Sequence, residues 1–241
     1  NGESKVDAST AEAIQTLKNN GYEPFIATGR SPAETRDIME SANIHSGIFM
    51  NGQVVLYRDQ LVYSSEIPTE TVEKFHQMVK EDGYGLTAYN DKQFYLVASS
   101  PGAKDAYGFI HSNPPALNPD FYKENPINMM LFISLPPAEE KYKVAFPNLD
   151  FLRNTPYSVD VISKGNSKAE GIKRFLEHLN QEDAKTYAFG DGPNDIEMLQ
   201  AVSHPVAMGN ALPILKEIAE FITTDNTDNG IVNGLKHYGL I

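Results

Sequence analysis

Two carboxylates that could bind a cation, Asp191 and Asp195, lie four positions apart in a glycine-rich turn. The apolar run 185–189 before them predicts a buried strand, and the apolar residues of 196–202 recur at helical spacing. Ligands of open α/β sheets bind at the carboxyl ends of the strands, and hard cations such as Mg²⁺ take carboxylate oxygens. Asn194 or Asp195 is equally suited to cap a helix N-terminus, so the turn alone leaves both interpretations open.

Two other apolar runs also end in polar turns. One ends in Thr28-Gly29-Arg30, where a hydroxyl and backbone N–H groups can hold a phosphate oxygen. The other ends in Asn51-Gly52, a dipeptide that is also typical of ordinary hairpins. Such dipeptides are common in loops, so each segment by itself is also explained as a simple turn.

A lysine, Lys168, stands at the start of the helix predicted over 169–179. The helix dipole favours anions at this end, so a cation there is unfavourable unless an anion such as a phosphate binds beside it. An ordinary solvated surface lysine accounts for the same residue, and the sequence does not decide between the two.

Composition excludes several classes of site and partner. The 241-residue chain has no Cys, which excludes disulfides and thiolate metal sites, and its six His residues are scattered without zinc-ligand spacing. Its net charge of -12 disfavours binding to nucleic acid or to anionic membranes. No run is long enough to span a bilayer and no secretory pattern begins the chain. We therefore expect a cytoplasmic protein with a small-molecule substrate.

The order of predicted elements favours an α/β protein of two domains. Strands alternate with helices in 1–66 and 158–241, which predicts a core with a parallel sheet. Strands follow strands in 67–157, which predicts a smaller α+β domain inserted into that core. A capping box of Ser9 and Glu12 is predicted to start the first helix.

Taken together, the motifs resemble those of the haloacid dehalogenase superfamily, specifically its Cof-type phosphatases with a type IIB cap. The segments ATGR, NG, SKGNSK, GDGPNDIEML and AMGNA occur in the order and rough spacing that this family uses. The resemblance implies a Rossmann-like parallel-sheet core with an inserted cap. It also implies Mg²⁺-dependent removal of phosphate from a small phosphorylated metabolite, such as a sugar phosphate, through an aspartyl-phosphate intermediate.

The resemblance also implies roles for individual residues. Thr28 and Gly29 would hold the phosphoryl group, and Lys168 would neutralise its charge, which makes Thr28 and Lys168 the candidate catalytic residues. Asp191 would be a Mg²⁺ ligand with Asp195 as its supporting acid.

Four further residues receive weaker assignments. By the same resemblance, Asn194 would be an additional phosphate contact. Asn51 is a candidate for substrate specificity, and so are Tyr89 and Lys92, at the ends of a predicted hairpin turn of the inserted domain. Solvated turn residues explain Tyr89 and Lys92 at least as well.

One family motif, DxDGT, is absent from the printed sequence. In the family its first Asp is the nucleophile and its second is the general acid and base. The chain begins at Asn1, where the family would just have passed this motif, so we expect a strand carrying Asp-x-Asp to precede Asn1. Two alternatives stay open: a noncatalytic phosphate-ligand binder that lacks the nucleophile, and a phosphomutase of the same superfamily.

Overall fold

The computed structural model describes residues 6–241, which form two compact units. The first unit contains 6–30, Glu34–Tyr63 and Ser167–Ile241, and the second contains Ser31–Ala33 and Ser64–Asn166. Within the described residues, no helix combines the length and the apolar character needed to cross a bilayer.

The chain begins with two helices and four strands. These are α1 (Ala8–Asn19), β1 (Ile26–Ala27), α2 (Pro32–Ala42), β2 (Gly47–Phe49), β3 (Val54–Tyr57) and β4 (Gln60–Ser64), with a 3-10 turn, Met50–Gly52, between β2 and β3. The predicted capping box is wrong, because Asp7 is the N-cap of α1. The Ser9 hydroxyl instead donates to Asn229 Oδ1 at 2.8 Å.

The second unit follows as a mixture of short helices and strands. Its elements are α3 (Thr69–Asp82), β5 (Gly85–Tyr89), β6 (Phe94–Ala98), α4 (Ala103–Phe109), α5 (Phe121–Glu124), β7 (Met129–Ile133), α6 (Glu139–Ala145), β8 (Leu149–Thr155) and β9 (Ser158–Ser163). The strands form one antiparallel sheet in the order β6-β5-β7-β9-β8. Strand β9 pairs with both β7 and β8, and Ser64–Asn166 belong to this unit, whereas the sequence-based bounds placed 64–66 and 158–166 in the core.

The last third of the chain returns to the first unit. It forms α7 (Lys168–Leu179), β10 (Tyr187–Gly190), α8 (Ile196–Ala201), β11 (His204–Ala207), α9 (Pro213–Ile218), β12 (Phe221–Ile222) and α10 (Gly230–His237), with a 3-10 turn, Pro193–Asp195, before α8.

The strands of the first unit form two sheets. One has the order β1-β2-β3-β4, with β1 parallel to β2, and the other is the parallel set β10-β11-β12. Parallel strands joined through helices confirm the predicted α/β class. Among residues 6–241, β1 and β10 are each an end strand of their sheet. The expected strand before Asn1 lies outside the described residues and stays a prediction.

Helix packing in the first unit brings helix starts to strand ends. Phe175 of α7 packs against Ile48 of β2 and Val55 of β3, and its ring centroid lies 4.3 Å from that of Phe25. Leu199 of α8 is buried in a second apolar cluster that covers the β10-β11 pair. These contacts fix the N-termini of α7 and α8 near the carboxyl ends of β2 and β10.

The sheet of the second unit buries both faces. Along β7 the side chains alternate: Met130 and Phe132 join a large core that includes Phe75 of α3, whereas Ile133 joins a separate cluster with Tyr107 of α4. This alternation is the period of two that a strand imposes. Helices therefore cover the sheet on both sides, which explains why β7 is apolar throughout.

A buried histidine predicts a pH effect on the second unit. His76 of α3 is 6% exposed and pairs through Nδ1 with the Tyr122 hydroxyl at 3.2 Å. Burial lowers the pKa of His76, and the ammonium of Lys80 acts in the same direction. Because the unfolded chain then binds more protons, stability is fully present above about pH 6.5 and is lost as the pH falls through and below that value.

We therefore expect the melting temperature of His76→Gln to depend less on pH between pH 7.5 and 5.5 than that of the parent protein. His111→Gln is the control, because His111 is exposed in the same unit. Equal slopes for the parent and His76→Gln would contradict the assignment.

Candidate functional site

The loops at the carboxyl ends of β1 and β2 are joined by backbone hydrogen bonds. The amide of Asn51 donates to the Thr28 carbonyl at 3.1 Å, and the amide of Met50 donates to the Arg30 carbonyl at 3.0 Å. The Thr28 hydroxyl accepts from the Arg30 amide at 3.1 Å, which fixes its oxygen while leaving its proton able to donate. Thr28 and Gly29 thus lie beside Asn51, as expected for one site.

Gly52 allows the second of these loops to touch the start of α7. It has a φ of +94°, and a Cβ atom at this position would overlap the carbonyl of Ser167. Ser167 is the N-cap of α7, and its hydroxyl accepts from the Glu170 amide at 3.2 Å. The absence of a side chain at Gly52 therefore lets the loop set the position of Lys168, the first residue of α7.

Lys168 forms a buried ion pair with Asp195. Its Nζ lies 2.6 Å from Asp195 Oδ1, and the two residues are only 5% and 6% exposed. The interpretation of Lys168 as a solvated surface lysine is therefore wrong. A buried pair must satisfy its remaining hydrogen-bonding capacity, or its desolvation cost exceeds its Coulomb gain.

The second oxygen of Asp195 meets that requirement on the carboxylate side. Asp195 Oδ2 accepts from the backbone amides of Asp191 and Gly192, each at 3.0 Å. A Cβ at Gly190 would come within 2.7 Å of the Asp195 Cβ, so glycine is needed where β10 ends. Asp195 thereby organises the turn 191–195 and holds the lysine. Its role as a supporting acid for a metal stays a prediction.

Asp191 is arranged differently. It is exposed, its carbonyl accepts from the Leu212 amide at 3.2 Å, and its Oδ2 accepts from Asn210 Nδ2 at 2.9 Å. Within residues 6–241, no hydrogen bond or ion pair is formed by Asp191 Oδ1. One carboxylate oxygen therefore stays open for a ligand.

The donor set fits Mg²⁺ better than a transition metal. No three His, Cys, Asp or Glu side chains in the described part of the chain are grouped as a metal site. Zinc sites need several nitrogen or sulfur ligands. Mg²⁺ instead keeps several waters and uses one or two carboxylates with substrate phosphate oxygens. Asp191 is the residue here that would hold such an ion.

Asn194 connects the turn 191–195 to the other loops. Its Nδ2 donates to Asn51 Oδ1 at 3.3 Å, and Asn51 is 2% exposed with a left-handed backbone. The structure thus brings together Thr28, Gly29 and Asn51 with Lys168, Asp191, Asn194 and Asp195, the predicted site residues of the core.

Tyr89 and Lys92 belong to the second unit. The Tyr89 ring is 2% exposed, and its hydroxyl is hydrogen-bonded to that of Tyr107 at 2.9 Å. Lys92 is exposed in the turn after β5, where its amide donates to Asn90 Oδ1 at 2.9 Å. Their part in substrate specificity stays a prediction.

One residue of the site had no predicted role. Asn210 lies in the segment AMGNA, which the sequence analysis noted only as part of the family pattern. Its bond to Asp191 spans 19 positions, so local spacing could not reveal it. The only sequence signal was that this segment follows an apolar run, as the other site loops do.

A model of the haloacid dehalogenase-like hydrolase (HAD) family matches residues 1–235. The chain belongs to this family. It is 36% identical over 237 residues to the "Putative phosphatase YkrA" of Bacillus subtilis strain 168, with 98% of this chain and 92% of that protein covered.

Two solved structures extend the comparison. A hypothetical protein of Geobacillus kaustophilus HTA426 is 32% identical with a TM-score of 0.93, covering 99% of this chain and 94% of that one. A HAD subclass IIB sugar phosphatase, BT4131, is 27% identical with a TM-score of 0.84, covering 100% and 95%. The resemblance stated from the sequence motifs is confirmed.

The contact between Gly52 and Ser167 in this HAD protein can be tested with a matched pair of glycines. Gly21 also has a positive φ, +88°, but nothing lies within 4 Å of its would-be Cβ. Gly21→Ala should cost about 1–2 kcal/mol of backbone strain. Gly52→Ala should lower the free energy of unfolding by more, because it adds a steric overlap. Equal losses in denaturant titrations would argue against the close approach.

The Lys168–Asp195 pair predicts a large stability effect. Lys168→Met should lower the free energy of unfolding by about 3–5 kcal/mol, because it leaves a buried carboxylate unpaired. The double variant Lys168→Met/Asp195→Asn should recover part of that loss. The control is Lys143→Met, which breaks an exposed pair with Glu140 and should change stability by about 1 kcal/mol or less. A loss at Lys168 no larger than at Lys143 would contradict the buried pair.

Proposed function

We propose that the protein is a Mg²⁺-dependent phosphohydrolase that acts on a small phosphorylated metabolite through an aspartyl-phosphate intermediate. Phosphatase activity is what the family and the matched relatives support. The observation that carries the finer proposal is the buried Lys168–Asp195 pair, fixed between strand-end loops that offer hydroxyl and N–H donors. This arrangement suits a bound dianion.

The residues of the site have separate parts in this proposal. Lys168 has three N–H donors and, among the described residues, hydrogen-bonds only to Asp195, which leaves two donors for phosphate oxygens. The Thr28 hydroxyl, the Gly29 amide and the Asn194 side chain would contact the remaining oxygens. Fixed donors of this kind stabilise charge that develops in phosphoryl transfer without rearranging during the reaction.

Asp191 would hold Mg²⁺ through its open Oδ1. When bound, the ion would neutralise charge on the transferred phosphoryl group. Neither Asp191 nor Asp195 is proposed as the nucleophile, because Asp195 Oδ1 is engaged with Lys168 and Asp191 is the proposed cation ligand. The family places the nucleophile in its DxDGT motif, which residues 6–241 do not contain. Covalent catalysis of this type divides one difficult displacement into two easier ones.

A sugar phosphate is the substrate class that we favour. Its support is the likeness to a protein described as a HAD subclass IIB sugar phosphatase, 27% identical across the whole chain. A cation held by Asp191, together with the ammonium of Lys168, would allow a protein with a net charge of -12 to attract an anionic substrate.

The variant Asp191→Asn tests the proposal. It is made in the polypeptide that the gene encodes. The amide keeps the shape but loses the charge that a hard cation requires. We expect kcat/KM for an aryl phosphate to fall roughly 10²-fold or more, together with Mg²⁺ affinity measured by calorimetry. Asp183→Asn is the control, because Asp183 is an exposed carboxylate in the turn before β10, at the opposite end of this strand from Asp191.

Parent activity in Asp191→Asn would refute the metal assignment. A parent protein that binds phosphate and Mg²⁺ but turns over no phosphate ester would favour the noncatalytic binder. Transfer of phosphate to an added sugar instead of water would favour a phosphomutase.

A further inference from the structure

Asn210 contacts the Asp191 carboxylate, and its proposed role rests on the proposed function of Asp191 as a cation ligand. Asn210 Nδ2 donates to Asp191 Oδ2 at 2.9 Å. This is the one side-chain hydrogen bond that the Asp191 carboxylate makes within residues 6–241. The orientation of the carboxylate therefore depends on Asn210.

The amide of Asn210 is itself held in one orientation. Its Oδ1 accepts from the backbone amide of Asn226 at 3.1 Å. An amide flipped by half a turn would point Nδ2 at that N–H group and Oδ1 at the carboxylate, so both contacts would become repulsive. The Asn226 amide thus fixes Nδ2 as the donor to Asp191.

The loop that carries Asn210 is anchored on both sides. The Gly209 amide donates to the Thr224 carbonyl at 3.0 Å, and the Gly209 carbonyl accepts from Lys216 Nζ. A Cβ at Gly209 would overlap Asp225, so the two loop segments are in close contact. Asn210 is therefore presented to Asp191 by a rigid support, although its own side chain is exposed.

We propose that Asn210 is a positioning residue for the cation site. By occupying one lone pair of Oδ2, it fixes the plane of the Asp191 carboxylate and favours Oδ1, which makes no hydrogen bond within residues 6–241, as the oxygen that ligates a divalent cation. It also favours monodentate over bidentate binding. Partners of this kind, which contact a ligand and not the metal, typically contribute 10–100-fold to metal affinity.

The test is Mg²⁺ titration calorimetry without substrate on the parent, Asn210→Ala and Asn210→Leu. Leucine keeps the branching and the number of side-chain heavy atoms of asparagine but donates no hydrogen bond, and the exposed position of Asn210 accommodates its larger volume, so it separates the bond from the packing. The control is Asn226→Ala, because Asn226 contributes its backbone amide, which alanine retains. Thermal melts without Mg²⁺ accompany each titration, and kinetics are measured over a range of Mg²⁺ concentrations.

We expect both Asn210 variants to weaken Mg²⁺ binding about 10–100-fold, with melting temperatures close to that of the parent. Activity should return toward the parent kcat at high Mg²⁺, with an unchanged KM for the aryl phosphate. Asn226→Ala should behave as the parent does. This recovery distinguishes Asn210 from Asp191, because excess Mg²⁺ would not restore the activity that is lost in Asp191→Asn.

Three results would overturn the inference. Mg²⁺ affinity within twofold of the parent in both variants would remove Asn210 from the site. A large drop in melting temperature in both variants would assign it a purely structural role. A kcat that stays low at saturating Mg²⁺ would show that Asn210 acts on a step other than Mg²⁺ binding. If the parent itself binds no Mg²⁺, the proposed function fails, which is distinguishable from the first three results.

Discussion

The buried ion pair between Lys168 and Asp195 is the interaction on which the candidate site depends. Two charges withdrawn from water are stable only with good geometry and with partners for their remaining hydrogen-bonding groups. The carboxylate finds these partners in the amides of Asp191 and Gly192. The turn 191–195 and the N-terminus of α7 are therefore coupled, because moving either one would leave a buried charge without its partner. This coupling gives the site a fixed geometry before any ligand binds, as electrostatic stabilisation of a reacting phosphate requires.

Close backbone approach makes this pair possible. Gly52 lies against the N-cap of α7, and Gly190 lies against the side chain of Asp195. A side chain at either position would push apart the segments that Lys168 and Asp195 bridge at 2.6 Å. These two glycines are thus required for proximity, and Gly52 is also required for its positive φ. The geometry of the site therefore requires that these two residues have no side chain, although neither takes part in the chemistry itself.

The sequence predicted the features that depend on local pattern and missed those that depend on distant contacts. Apolar spacing predicted the helix that follows Lys168. The burial of the Lys168 side chain, however, depends on its ion pair with Asp195, which lies 27 positions later in the sequence. Ser9 had good local capping chemistry, yet its hydroxyl is bound to Asn229 at the other end of the chain. The predicted boundary of the second unit differs from the observed one because of β9. This strand belongs to the second unit through its pairing with β7 and β8, and a strand pattern in the sequence does not identify pairing partners. The resemblance of the motifs to a known family predicted that these distant residues share one site. The structure shows the hydrogen bonds and the ion pair that connect them.

The two aspartates of the turn 191–195 are of the same residue type, but their neighbours leave them with different capacities to bind a cation. Asp195 uses both oxygens within the protein. Releasing Oδ1 to a cation would leave a buried ammonium unpaired, and releasing Oδ2 would remove the acceptor of the Asp191 and Gly192 amides. Asp191 keeps one oxygen open, so under the proposed function a cation would have few protein ligands and would need water or substrate oxygens to complete its shell. Lys168 retains donors for the same phosphate. Substrate and cation would then each improve the binding of the other, since the phosphate dianion would lie between two positive charges fixed by different segments. Affinity for either one alone would be modest, and a reactive site would be complete only when both are present.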